Sequence, residues 1–139
     1  MVYSRQMIYK LCKHATSIGA KTAGYICGSN PEGNACSSPS KEAIETYFSD
    51  AGIELVYYCE VNTAAPTYET DLENCINQMA SHGPSENGKY GVDLLTIKDY
   101  DQVCTDAAQQ AVDINWTPNG MYLVVCNANP DVVTAMGST

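Results

Sequence analysis

The chain has 139 residues, a formal net charge of −9 and 45% hydrophobic residues, which suits one domain spanning 1–139 with a core of its own. So acidic a chain repels phosphate backbones and anionic lipid, so neither nucleic acid nor a membrane is an expected partner. No apolar run approaches the roughly 18 to 20 residues of a membrane span, and MVYSRQMIYK lacks the apolar block of a secretory leader, so the chain reads as soluble and as a mature form with an added Met1.

In chain order, RQMIYKLCK at 5–13 places Met7, Tyr9 and Leu11 on one face and predicts a strand, with a short helix as the competing reading. From 17 to 40 glycine, serine, asparagine and proline dominate, and the segment reads as a long loop. GSNPEG within it has neither the lysine nor the glycine spacing of a phosphate-binding loop.

The next stretch, SSPSKEAIETYFSDAGIELVYYCEV, organises the rest. Ser38 offers an N-cap with Pro39 at the first helical position, and Ser40 offers a second cap. Ala43, Ile44, Tyr47, Phe48 and Ala51 recur at helical spacing, and Gly52 suits the position just past the helix end. From Ile53 the period becomes two: Ile53, Leu55, Tyr57, Cys59 and Val61 line one face, and Glu54, Val56, Tyr58 and Glu60 the other.

A second helix begins near Tyr68, with Tyr68, Leu72, Cys75, Ile76 and Met79 as its stripe and acids in its first turn, and Gly83-Pro84 stops it. GVDLLTI at 91–97 predicts a strand. A helix follows over about 99–114 with Tyr100, Val103, Cys104, Ala107, Ala108 and Ala111 in register, then MYLVVCN as a last strand, and 128–139 as a loose tail. The expected fold is α+β: a two-layer α/β sandwich with about four strands, mixed or antiparallel, and two to three helices packed on them, stabilised by disulfides.

Seven cysteines stand at Cys12, Cys27, Cys36, Cys59, Cys75, Cys104 and Cys126. No C-x-x-C is present and only two histidines, so structural zinc and thioredoxin-like chemistry lack their ligands. The spread favours three disulfides and one unpaired thiol in an oxidising compartment, over scattered thiols in a reduced cytosolic protein. A local Cys27–Cys36 loop is among the options; order alone does not fix the pairing.

Chemistry has few carriers. His14 and His82 stand apart, no G-x-S-x-G elbow is present, and the acid pairs Glu42/Glu45, Glu69/Glu73 and Asp99/Asp101 fall at helix starts or on exposed faces. Neither a catalytic site nor a metal or cofactor is expected. Among ten tyrosines, Tyr57 and Tyr58 must point to opposite faces of their strand. If helices cover one face only, Val56, Tyr58 and Tyr122 form an aromatic partner surface on the other; equally, the N-terminal loop or the third helix covers them. The basic segment Arg5, Lys10, Lys13 and Lys21 suits an acidic partner or the chain's own acidic body. Asn115-Trp116-Thr117 matches a glycosylation sequon, weakened by Pro118.

An acidic chain of this size, with Cys59 and Cys126 on predicted strands and Cys75 and Cys104 on predicted helices, resembles the small secreted cysteine-rich effectors of plant-pathogenic fungi. Some of these have sandwiches similar to the viral killer toxins of smut fungi. The resemblance covers element order and cysteine density; no functional residue carries over, and seven cysteines depart from the usual even number. It implies a secreted, extracellular, non-enzymatic virulence effector, one that is also able to enter host cells, which binds a host protein or a companion effector. The alternatives are a killer-type or antimicrobial toxin acting at a cell surface, against which the net charge counts, and a small secreted enzyme using His14 or His82.

Overall fold

The computed structural model describes residues 10, 12–17, 19–31, 33–34, 36–37, 39–84, 88, 90–98 and 101–116. They form a short helix α1 over residues 12–17, strands β1 (Thr22–Asn30) and β2 (Gly33–Asn34), helix α2 (Lys41–Asp50), strand β3 (Glu54–Asn62), helix α3 (Tyr68–Ala80), strand β4 (Leu94–Lys98) and helix α4 (Asp101–Asp113). The predicted strand MYLVVCN, the tail 128–139 and Tyr122 lie outside the described residues.

The expected α+β sandwich, built on a four-stranded mixed sheet, is what these residues form. β1 is its centre. It pairs in parallel with β3 from Thr22↔Glu54 to Ser29↔Asn62, and in parallel with β4 from Ala23↔Leu94 to Cys27↔Lys98. Gly33 and Asn34 then pair antiparallel with Asn30 and Ser29. Since Ser29 meets Asn62 on one edge and Asn34 on the other, β2 continues the β4 edge beyond the end of β4.

The helices divide between the two faces, which adds a layer to the two that were expected. Crossovers between parallel strands are right-handed almost without exception. β1 to β3 runs one way across the sheet and β3 to β4 the other, so α2 and α3 must lie on opposite faces. One apolar cluster accordingly joins Cys12 and Ala15 of α1, Ile44 and Phe48 of α2, and Ala23, Tyr25 and Cys27 of β1. The other joins Leu72, Ile76 and Met79 of α3, Val103, Cys104, Ala107 and Ala111 of α4, and Ile26, Leu95 and Ile97 of the sheet.

Three expectations change. Residues 17–40 are not a loop, because they contain β1, the strand on which the sheet is centred. Gly24, which resembles a turn signal, is there for packing: a Cβ on it would sit 2.5 Å from Sδ of the fully buried Met79. Second, residues 10, 12 and 13 of the predicted strand 5–13 are helical, the competing reading, in a helix that continues to 17, with Cys12 and Ala15 buried three residues apart; residues 1–9 and 11 lie outside the described residues. Third, the alternation of β3 breaks. The register shifts between Ala23 and Gly24, which pair with Leu55 and Tyr57, so Val56 is an extra residue in a β-bulge. Ile53, Leu55 and Tyr58 therefore pack on the α2 face, and Val56, Tyr57, Cys59 and Val61 on the α3 face.

The helix ends follow their local chemistry. Ser40 caps α2, its hydroxyl accepting from the Ala43 N–H at 3.2 Å. Gly52, at φ +79°, lets the Ile53 N–H reach the Phe48 carbonyl at 2.9 Å, a Schellman closure that buries Phe48 and Ile53 in one cluster. The same closure follows α1 at Gly19 and α4 at Asn115. At the base of the sheet, the Asp93 carboxylate accepts from the backbone N–H groups of Lys21 and Thr22 at 2.8 and 3.2 Å, and the Asp93 N–H donates to the Thr22 hydroxyl at 3.0 Å. The starts of β1 and β4 are thereby fixed to each other.

Gly24→Ala is expected to lower stability by about 1–3 kcal/mol, because neither Met79 nor the strand can yield without opening the core. A lower urea midpoint at unchanged m-value is the expected signature. Burial also pushes the Cys12 thiol up to about 12 from an ordinary 9.0. The unfolded chain then ionises this thiol first, so its contribution to stability is complete below pH 9.0 and is lost between 9.0 and about 12. Chemical denaturation across this range should show wild-type stability falling more steeply with pH than that of Cys12→Ala.

Candidate functional site

Chemistry-bearing side chains gather at the carboxyl ends of β1 and β3. In open sheets with parallel strands, ligands settle in the crevice beyond these ends, at the point where successive crossovers diverge. Here that point lies between β1 and β4, and the β2 hairpin fills it. The turn is held by the Asn30 side chain, which accepts from the Gly33 N–H at 2.9 Å, and by Asn34, which accepts from the Cys36 N–H at 2.8 Å. A disulfide between Cys27 and Cys36, with Cα atoms 5.3 Å apart, ties the segment down to the sheet.

Beside this bridge lies Tyr58. Its ring stacks on buried Tyr25, centroids 5.6 Å apart and planes within 8°. The Lys41 ammonium stands 5.5 Å from its centroid, and its hydroxyl lies 3.4 Å from Cys27 Sγ. Burial, then the charges of Glu60 and Glu42 and a hydrogen bond to the Glu60 carboxylate, hold that hydroxyl protonated above its ordinary range. Tyr25 is raised further, chiefly by burial and next by Tyr58. The result is a half-exposed aromatic ring, fixed from below by a second ring and ringed by one cation and two carboxylates.

Cys27, Cys36 and Glu60 bring one ligand atom each within 4.8 Å of one another. Metals bind thiolate, and the disulfide has none to offer, so the oxidised protein cannot use these sulfurs as a metal centre.

The expected surface of Val56, Tyr58 and Tyr122 is not a single face. The bulge turns Val56 toward α3 and Tyr58 toward α2, and both faces of the sheet carry helices. The histidines are also separated by the sheet: His14 is exposed on α1, whereas His82 follows α3 and meets Tyr57 edge-on at 5.9 Å. Glu42, Glu45, Glu69 and Glu73 are exposed, with Glu42 and Glu69 in first turns, where the helix dipole favours them. Asp99 and the side chain of Asp101 lie outside the described residues; Asn115 is exposed.

Of the cysteines expected to pair, Cys27 and Cys36 do so and Cys104 is disulfide-bonded, while Cys12, Cys59 and Cys75 are thiols. Cys126 lies outside the described residues. The Tyr25–Tyr58 stack and the role of Lys41 escaped sequence reasoning, because Tyr25 stood in a segment read as loop. No family model and no curated protein matches the chain.

Replacing both Cys27 and Cys36 by alanine should cost about 2–3 kcal/mol, the chain entropy released by opening a loop of sequence separation 9. Reduction of the wild type, which also opens the bond made by Cys104, should lower its denaturation midpoint at least to that of the double variant.

Proposed function

We propose that this chain is a secreted, disulfide-stabilised protein that works by binding another protein, as a virulence effector of the fungal cysteine-rich kind. The observation that carries the reading is the Cys27–Cys36 bridge, which ties a hairpin into the position where a sheet of this kind would otherwise open toward a small ligand. A chain that closes its own crevice and braces the closure covalently has invested in a rigid outer surface. Disulfides persist where thiols are not kept reduced, which supports an extracellular location, with later entry into host cells left to the partner's location.

The surface offered is Tyr58 with Lys41, Glu42 and Glu60. A ring already immobilised by stacking loses little entropy on docking, which is the property of an aromatic anchor at an interface. The charged groups around it select a partner of mixed polarity, a host protein or a companion effector. A membrane target is disfavoured by the net charge of −9; no helix among the described residues is long and apolar enough to cross a bilayer.

Two measurements test this reading. Unreduced chain recovered from culture filtrate should weigh less than the fully reduced chain by two hydrogens per disulfide; seven free thiols would overturn secretion. In host tissue, Tyr58→Ala should weaken the biological effect at least about tenfold, the loss of one anchor residue, with the fold retained and about 1 kcal/mol of stability lost with the Tyr25 stack. Full activity of Tyr58→Ala would remove this surface from the function.

A further inference from the structure

We propose that Cys59 and Cys75 are a second covalent site: a dithiol that closes into a disulfide between β3 and α3, with Cys12 left as the odd thiol of the chain. Cys59 is buried on β3, and Cys75 is half-buried on α3, one turn after Leu72 and next to Ile76; both belong to the apolar cluster on the α3 face. Both pack in the one cluster where α3 lies on β3, and each is the largest influence on the other's acidity. Two sulfurs so placed, on a strand and on the helix that packs on it, need only small adjustments of their side-chain torsions to bond.

The sheet decides the alternatives. Cys12 packs in the cluster on the other face, with Ile44 and Phe48, so β1 and β3 stand between it and both other thiols. Cys27, Cys36 and Cys104 are already bonded. Among the described residues, only Cys59 and Cys75 share a cluster as thiols.

Their acidities are consistent with a pair prepared for exchange. The hydrogen bond from Cys75 lowers Cys59 below its ordinary range, while donation of that bond, then burial, raises Cys75. Cys12 has only burial acting on it and is held neutral. The oxidant is an external disulfide of the glutathione class. The Cys59 thiolate attacks it, forming a mixed disulfide and releasing one external thiolate, which takes up the Cys75 proton. The Cys75 sulfur then attacks the Cys59 sulfur, the S–S bond between the two residues forms, and the second external thiol leaves. Two protein thiols lose two electrons and two protons, and one external disulfide becomes two thiols.

The folded full chain should therefore be equilibrated with oxidised glutathione, alkylated, and cleaved at glutamate, which separates the two cysteines at Glu60, Glu69 and Glu73. The expected result is a linked pair of peptides carrying Cys59 and Cys75, with Cys12 alkylated only after denaturation. Recovery of both Cys59 and Cys75 as alkylated or glutathionylated residues would overturn the proposal, as would linkage of either to a different cysteine. Cys59→Ala and Cys75→Ala supply a second readout that does not depend on how well a linked peptide is recovered. Each alone should leave one thiol reactive in the glutathione-treated fold and abolish the two-hydrogen mass loss that wild type undergoes; persistence of that loss in either variant would also overturn it. These readouts use purified protein, so they stand apart from any failure of the secreted reading.

Discussion

The burial of β1 on both faces and along both edges is the constraint from which the rest of this structure follows. A strand with parallel neighbours on each side must be reached by crossovers running in opposite directions, and their common handedness sends one helix to each face. Thr22–Asn30 consequently contributes to two cores at once: Tyr25 and Cys27 to one, Ile26 to the other. Its register is set at the start by the Asp93 carboxylate and at the end by the hairpin and the Cys27–Cys36 bridge.

That central position explains why the segment was hard to read and its neighbours were not. α2 carries a cap, and α2 and α3 both carry acidic first turns and stripes at helical spacing, all of which act within a few residues and so are visible locally. β1 carries none of these. A strand buried on both faces has no alternation to display, and Gly24 exists because Met79 needs its space, a reason held by a side chain far along the sequence. α1 was ambiguous for a related cause: a short apolar run fits either period until a neighbour supplies the face.

The candidate site was readable only in part, and one bulge accounts for most of the difference. Tyr57 and Tyr58 do point to opposite faces, as strand geometry requires, but the extra residue at Val56 exchanges which faces those are. Tyr58 thereby comes under α2, onto Tyr25 and beneath Lys41, instead of onto an open sheet face beside Val56. A single inserted residue inverts every side chain beyond it. Nothing in LVYYCEV marks the insertion, since Val56 and its neighbours all have strong strand preference.

The same sheet that divides the core also sorts the sulfur chemistry. Seven cysteines in an unordered chain could pair in many ways, but a sheet three parallel strands wide is a barrier that no side chain crosses. Once it forms, Cys12, Cys27 and Cys36 belong to one face and Cys59, Cys75 and Cys104 to the other. On the first face the spacing of nine residues and the Asn34 turn bring Cys27 and Cys36 together, which leaves Cys12 shut in beneath α2. Sorting the cysteines between the faces then requires no discrimination among thiols by reactivity; it requires that β1, β3 and β4 assemble before oxidation is complete. In this chain folding would direct the disulfides, and the bridges would hold a topology that the hydrophobic faces had already chosen.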